Sequence, residues 1–187
     1  FTDSAVWGTY RDKYHQTEED GHPVDYRAFY EGLYHVSARL GLDPFGTWME
    51  RCREIGIRPW LSIRMNDCHD PAAETSLLRE DFFYEARRRG MMNGARYGHY
   101  RNTLNYRFPE VRERFLALIK EQLLRYDVEG IELDFMRETV CFDYAGEDKD
   151  TCVSIMTDFM RKAKAVVDGV AAKRGKKIRI AIRLARD

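Results

Sequence analysis

The residues best suited to chemistry lie in "RYDVEGIELDFMRE", from Arg125 to Glu138. Glu129, Glu132 and Asp134 sit around a short apolar run of Ile131, Leu133 and Phe135. Carboxylates act as general acids, general bases or nucleophiles when a scaffold aims them at one bond. A strand alternates its faces, so residues two apart share a side. Ile131, Leu133 and Phe135 then form one face, and Gly130, Glu132, Asp134 and Met136 the other. Two further acids stand near strand ends in the pattern, Asp67 and Glu138.

The same split recurs in two other segments. In "IRPWLSIRMND", Ile57, Pro59, Leu61, Ile63 and Met65 oppose Arg58, Trp60, Ser62, Arg64 and Asn66. In "KIRIAIRLA", Ile178, Ile180, Ile182 and Leu184 oppose Arg179, Ala181, Arg183 and Ala185. Each segment has one apolar face and one face with charge toward its C-terminal end. Arg64, Asn66 and Arg183 are thereby candidates for hydrogen bonds to a polar substrate.

A metal site is the other chemistry to weigh. "NDCHD" sets Asp67, Cys68, His69 and Asp70 side by side, with His99 further on. Neighbours at a strand end point in different directions and make a poor ligand set. A polar, hydrogen-bonding loop is the better reading, and no metal or cofactor is expected. His15, His22 and His35 have no ligand spacing.

The elements that must hold these residues are well punctuated. Asp25 caps a helix with Tyr26, Phe29, Tyr30, Leu33, Val36 and Leu40 in register, closed by Gly41. Asp43 caps a second with Pro44 at its first position, which should bury Phe45, Trp48, Met49, Cys52 and Ile55 before Gly56. Such caps and terminal glycines agree with the helical period. A short helix is expected near Glu80 to Arg89. Pro109 opens a strong one carrying Val111, Phe115, Leu118, Ile119 and Tyr126. Another carries Cys152, Met156, Phe159, Ala163, Val167 and Val170 up to Gly175.

Helices alternating with strands predict parallel α/β structure. Helix-to-strand turns are short, whereas the connections after strands are long, from Asp67 to Phe108 and from Arg137 to Lys149. Barrels build their active sites from such loops. The expected fold is therefore a parallel (β/α)8 TIM-barrel-like domain, one domain over residues 1–187, with a further strand near Ala5 to Thr9. A whole barrel needs ~250 residues, so only part of one would be represented. In a closed sheet the polar faces become the lumen, gathering Arg64, Glu132, Asp134 and Arg183 in one enclosed space.

Bulk composition narrows the partners. Lys and Arg number 31, as do Asp and Glu, so the formal net charge is zero. Nucleic acid and anionic membranes favour a basic surplus, and neither is expected. No apolar run approaches the ~20 residues of a membrane span. The chain begins "FTDSAVWGTY" without Met or a signal peptide, and both ends read as cut from a longer polypeptide. Half a barrel would expose strand edges and apolar surface. Self-association, or completion by the missing half, is expected. Cys52, Cys68, Cys141 and Cys152 lack any C-x-x-C spacing. They read as free thiols of a reducing, cytoplasmic compartment.

The stretch "FPEVRERFLALIKEQLLRYDVEGIELDFMRE" resembles bacterial glycosyl-hydrolase-like TIM-barrel proteins, a loosely characterised set. Those proteins carry a P-E-V-R helix start and then a "RYDVDGIHFDD"-like strand. Pro109, Glu110, Val111 and Arg112 match the first, and Arg125 to Val128, Gly130, Ile131 and Asp134 the second. Two departures stand out. Phe135 replaces a common second Asp, and Glu132 replaces His or another residue.

The resemblance implies glycoside hydrolysis, which needs two carboxyl groups flanking the scissile bond. Asp134 is the first, and an arginine sharing its space suits a nucleophile or base better than an acid. Glu132, Asp67, Glu138 or an acid on a later strand could be the second. Tyr97, Tyr100 and Tyr106 are candidate sugar platforms, since flat amphipathic rings stack well. A non-catalytic carbohydrate-binding barrel and a metal-dependent TIM-barrel hydrolase are the alternatives.

Overall fold

Asp43 opens the first described helix as its pattern requires. Its Oδ1 accepts from the backbone N–H groups of Phe45 and Gly46, both at 3.1 Å. The structure is a computed structural model that describes residues 40–68, 81–136 and 138–185. The Asp25-capped helix, the Ala5–Thr9 strand, His69 and Asp70 lie outside the described residues, as does the side chain of His99.

Helix α1 spans Pro44–Glu54 and strand β1 spans Trp60–Arg64. Helix α2, Asp81–Arg88, and a 3-10 helix, Ala95–Asn102, follow. Helix α3 spans Pro109–Arg125, β2 Gly130–Asp134, α4 Lys149–Arg174 and β3 Arg179–Arg183. Helix α4 ends at Gly175, whose φ of 62° is left-handed and costs a residue without Cβ little.

The strands form one parallel sheet in the order β1-β2-β3. Leu61, Ile131 and Ile180 align across it, as do Ile63, Leu133 and Ile182. On this side α3 contributes Val111, Phe115, Ile119 and Leu123, and α4 contributes Phe159, Ala163, Val167 and Val170, to one core. Ile131 and Leu133 are at most 1% exposed at its centre. Truncating either to Ala would cost about 2–5 kcal/mol.

The barrel expectation is overturned. Among the described residues the sheet is open and has three strands, where closure takes eight. Period-two alternation reports that one face is covered and the other is not. It does not say whether the uncovered face is a lumen or faces outward. Among the described residues Arg64, Arg183 and Trp60 on this face are exposed, Glu132 is half-buried and Asp134 is buried, so the four charges are not gathered in one enclosed space.

Helix α1 also differs from its pattern. Met49 is buried and Phe45 and Cys52 partly so, but Trp48 and Ile55 are each 53% exposed. Its apolar stripe is wider than the described surface it packs on.

The N-terminal end of the sheet is tied by charge. Asp127, just before β2, pairs with Lys176, with Arg174 at 3.7 Å and with Arg53 at 4.0 Å. Arg53 also donates to the Asp127 carbonyl at 2.6 Å, and Arg174 to the Tyr126 carbonyl at 2.6 Å. The turns before β2 and β3 are thus held to α1 and to each other. Among the described residues no helix is long and apolar enough to cross a membrane.

Candidate functional site

The parallel register arranges the uncovered face as three rows. Trp60, Gly130 and Arg179 align in the first, Ser62, Glu132 and Ala181 in the second, and Arg64, Asp134 and Arg183 in the third. Neighbouring strands lie ~4.8 Å apart and same-face residues ~6.6 Å apart along a strand. The rows therefore place two carboxylates on the central strand, Glu132 half-buried and Asp134 buried.

Asp134, at the C-terminal end of β2, is 7% exposed. Its Oδ1 accepts from the Met136 N–H at 2.9 Å, and Arg183 Nη1 lies 3.5 Å from its Oδ2. The backbone around it is clamped on both sides. Met65 N–H donates to the Asp134 carbonyl and Phe135 N–H to the Arg183 carbonyl, both at 2.9 Å. Glu132 is half-buried, and its Oε1 accepts from the Ser62 hydroxyl at 2.8 Å. Each carboxylate is thus oriented by a donor of its own.

Arg64 turns to the strand end, where its guanidinium lies 3.8 Å from Asp67. Asp67 is half-buried beyond β1, and Glu138 is 3% exposed in the loop after β2. Neither aligns in the three rows that carry Glu132 and Asp134.

The remaining sequence candidates belong to a layer of loops beyond the strand ends. Asn66 is 2% exposed. Its Nδ2 donates to the carbonyls of Leu104 and Val140, at 2.9 and 3.1 Å. Its Oδ1 accepts from the N–H groups of Asp67 and Leu104, at 3.0 and 2.9 Å. Those four bonds use the capacity of the amide, so Asn66 is a clasp between loops and not a sugar ligand. Asn93 repeats the device, with its Nδ2 on the Val140 carbonyl at 3.0 Å and on Thr103 Oγ1 at 2.9 Å.

Tyr106 is likewise corrected. It is 0% exposed, its ring stacks on Phe115 at 5.3 Å, and its hydroxyl donates to the Met65 carbonyl. A fully covered ring offers no platform, and burial pushes its hydroxyl well above the usual range. Tyr97 donates to Asp143 Oδ1 at 2.9 Å, and burial is again the main cause of its raised hydroxyl pKa. Tyr100 is half-buried in the 3-10 helix.

Trp60 is a further residue of this face. A Cβ added to Gly130 would stand 2.5 to 2.6 Å from three carbons of the Trp60 indole. The ring therefore lies against the Gly130 backbone, on the open face beside the Glu132 row. The signal was available in a tryptophan on a polar strand face and a glycine on the neighbouring strand. Their register was not.

Among the described residues no group of three His, Cys, Asp or Glu is placed to hold a metal ion. No family model matches the chain, and no curated protein matches its sequence.

Proposed function

We propose that the open face of the sheet binds carbohydrate and that the chain hydrolyses an O-glycosyl bond there, with Asp134 and Glu132 as the carboxyl pair. The observation that carries this reading is their placement on one face of β2, each held by a separate donor. Their Cα atoms stand ~6.6 Å apart, a spacing compatible with two carboxyl groups flanking one bond. The likeness of the Phe108–Glu138 stretch to glycosyl-hydrolase-like proteins supports the substrate class.

Asp134, positioned by the Met136 N–H and Arg183, is the nucleophile or base. Glu132 supplies a proton to the departing glycosidic oxygen and water delivers hydroxyl to the sugar carbon; the remaining proton of the water goes to Asp134 where it acts as base, or back to Glu132 where Asp134 is the nucleophile. Arg64 and Arg183 hydrogen-bond sugar hydroxyls. The four cysteines are free thiols, which supports a reducing compartment as the site of action.

The test is turnover of a panel of aryl glycosides and oligosaccharides by the protein, its Asp134→Asn variant and its Glu132→Gln variant. Asp134→Asn keeps size and an acceptor but cannot attack or take a proton. Turnover should fall about a thousandfold or more, at ~1.4 kcal/mol per tenfold, with sugar binding retained. Unchanged turnover in Asp134→Asn removes it from the mechanism. A parent that binds sugars without cleaving any makes the face a carbohydrate-binding surface instead.

A further inference from the structure

The three indole carbons that crowd Gly130 are Cε3, Cζ3 and Cη2, at 2.6, 2.5 and 2.6 Å from the position of an added Cβ. These are consecutive atoms of the six-membered ring. A ring meeting Gly130 by its edge would hold the two flanking carbons clearly farther off than the middle one. Near-equal distances require that the face of the ring covers the glycine. The indole therefore lies flat on the sheet, with one face on the Gly130 backbone and the other turned outward. The residue remains 40% exposed. Only glycine permits this, because any Cβ would occupy the space of the ring.

The plate lies in the first row, Glu132 in the second and Asp134 in the third. A bond cleaved between the carboxylates would then sit about 10 Å along β2 from the plate, one and a half same-face repeats. That exceeds the reach of the sugar ring being cleaved. Flat rings with an outward face stack on the C–H face of a pyranose while its hydroxyls reach polar neighbours. Here the neighbours are Ser62, Glu132 and Arg179.

We infer that Trp60, seated by Gly130, is the stacking platform of a distal sugar subsite, and that the substrate is a chain of sugars laid along β2. This rests on the open face being a carbohydrate site. It adds the substrate form, oligosaccharide or polysaccharide rather than a simple glycoside, and a binding residue remote from the cleaved bond.

Soluble oligosaccharides of increasing length, derived from cellulose, xylan, starch and chitin, are titrated by intrinsic fluorescence and calorimetry. The parent should bind longer chains more tightly. Trp60→Ala should weaken the longer oligosaccharides about tenfold and raise their KM more than that of an aryl monoglycoside. Trp60→Phe should restore most of the affinity. Gly130→Ala keeps the indole but lifts it, and should weaken the same ligands while shifting tryptophan emission in their absence. Melting curves establish that each variant is folded. Full affinity in folded Trp60→Ala or in Gly130→Ala overturns the subsite even if the parent hydrolyses glycosides. Trp60-dependent binding by a parent without turnover upholds the subsite and removes the hydrolase. A parent that binds no oligosaccharide of the panel overturns both.

Discussion

Arg183 Nη1 lies 3.5 Å from Asp134 Oδ2, across the β2–β3 pair. The guanidinium side chain is 54% exposed and the carboxylate side chain 9%. The pair is therefore screened on one side and contributes little to folding, within the ~0–1 kcal/mol of exposed pairs. Its role is to hold a carboxylate in place. Arg183→Met should leave the urea midpoint close to that of the parent and lower kcat about tenfold. Arg183→Lys should recover part of the loss. A large fall in stability without loss of turnover would make the pair structural.

Replacing Asn66 tests the loop clasp. Asn66→Ala strips donors from two carbonyls and an acceptor from two N–H groups. Buried groups left unpaired cost ~1–3 kcal/mol each, and the Val140 and Leu104 carbonyls keep bonds from Asn93, so the two orphaned N–H groups set an expected loss of about 2–6 kcal/mol. Asn66→Asp should be no better. It keeps the acceptor but turns a carboxylate oxygen toward two carbonyls. Urea unfolding of both variants is the measurement, and a near-native Asn66→Asp would refute the clasp.

Much of this fold is visible in residue patterns, for a physical reason. Asp43, Pro44, Pro109, Gly56 and Gly175 mark helix ends through local backbone needs. The alternation of Ile131 and Leu133 with Glu132 and Asp134 marks one covered face. Both signals are local. Sheet closure is not, and the outward face of an open sheet has the same alternation as a lumen. For the same reason Asn66 and Tyr106 read as polar site residues. What distinguishes them is burial beneath loops from residues 91–105 and 138–142, a long-range fact. The pairing of Trp60 with Gly130 depends on strand register, which no short window of sequence contains.

Tyr106→Phe separates a core residue from a sugar platform. The change removes one hydroxyl from a ring that stacks on Phe115 and meets Phe159 edge-on at 5.4 Å. The Met65 carbonyl would lose its donor, at a cost of about 1–2 kcal/mol. Affinity for oligosaccharides should not change. Thermal unfolding and calorimetric titration check the two halves of this expectation.

Acid should loosen the base of the sheet. The hydrogen bond from Lys176 is the main reason that the Asp127 carboxyl sits below its ordinary value of 3.8. A carboxyl lowered in the folded state stabilises the fold above its unfolded value, and that contribution is lost as pH falls through the folded one. Asp127→Asn should therefore be less stable than the parent at neutral pH, and the gap should narrow toward about pH 3. The side chain is 57% exposed, so the gap is small. Urea midpoints of both proteins across that range give the comparison.

Asn66 and Asn93 both donate to the carbonyl of Val140. One acceptor thus joins the chain that leaves β1, the segment around Thr103 and Leu104, and the chain that leaves β2. Lifting any of these breaks bonds belonging to another. Their amides, Leu104 and Asp67 among them, should exchange with solvent through one shared opening and not as separate frayed loops. The rim beyond the carboxylates then behaves as a rigid ledge. Adaptation to a ligand falls to the long side chains that project past it, those of Arg64 and Arg183.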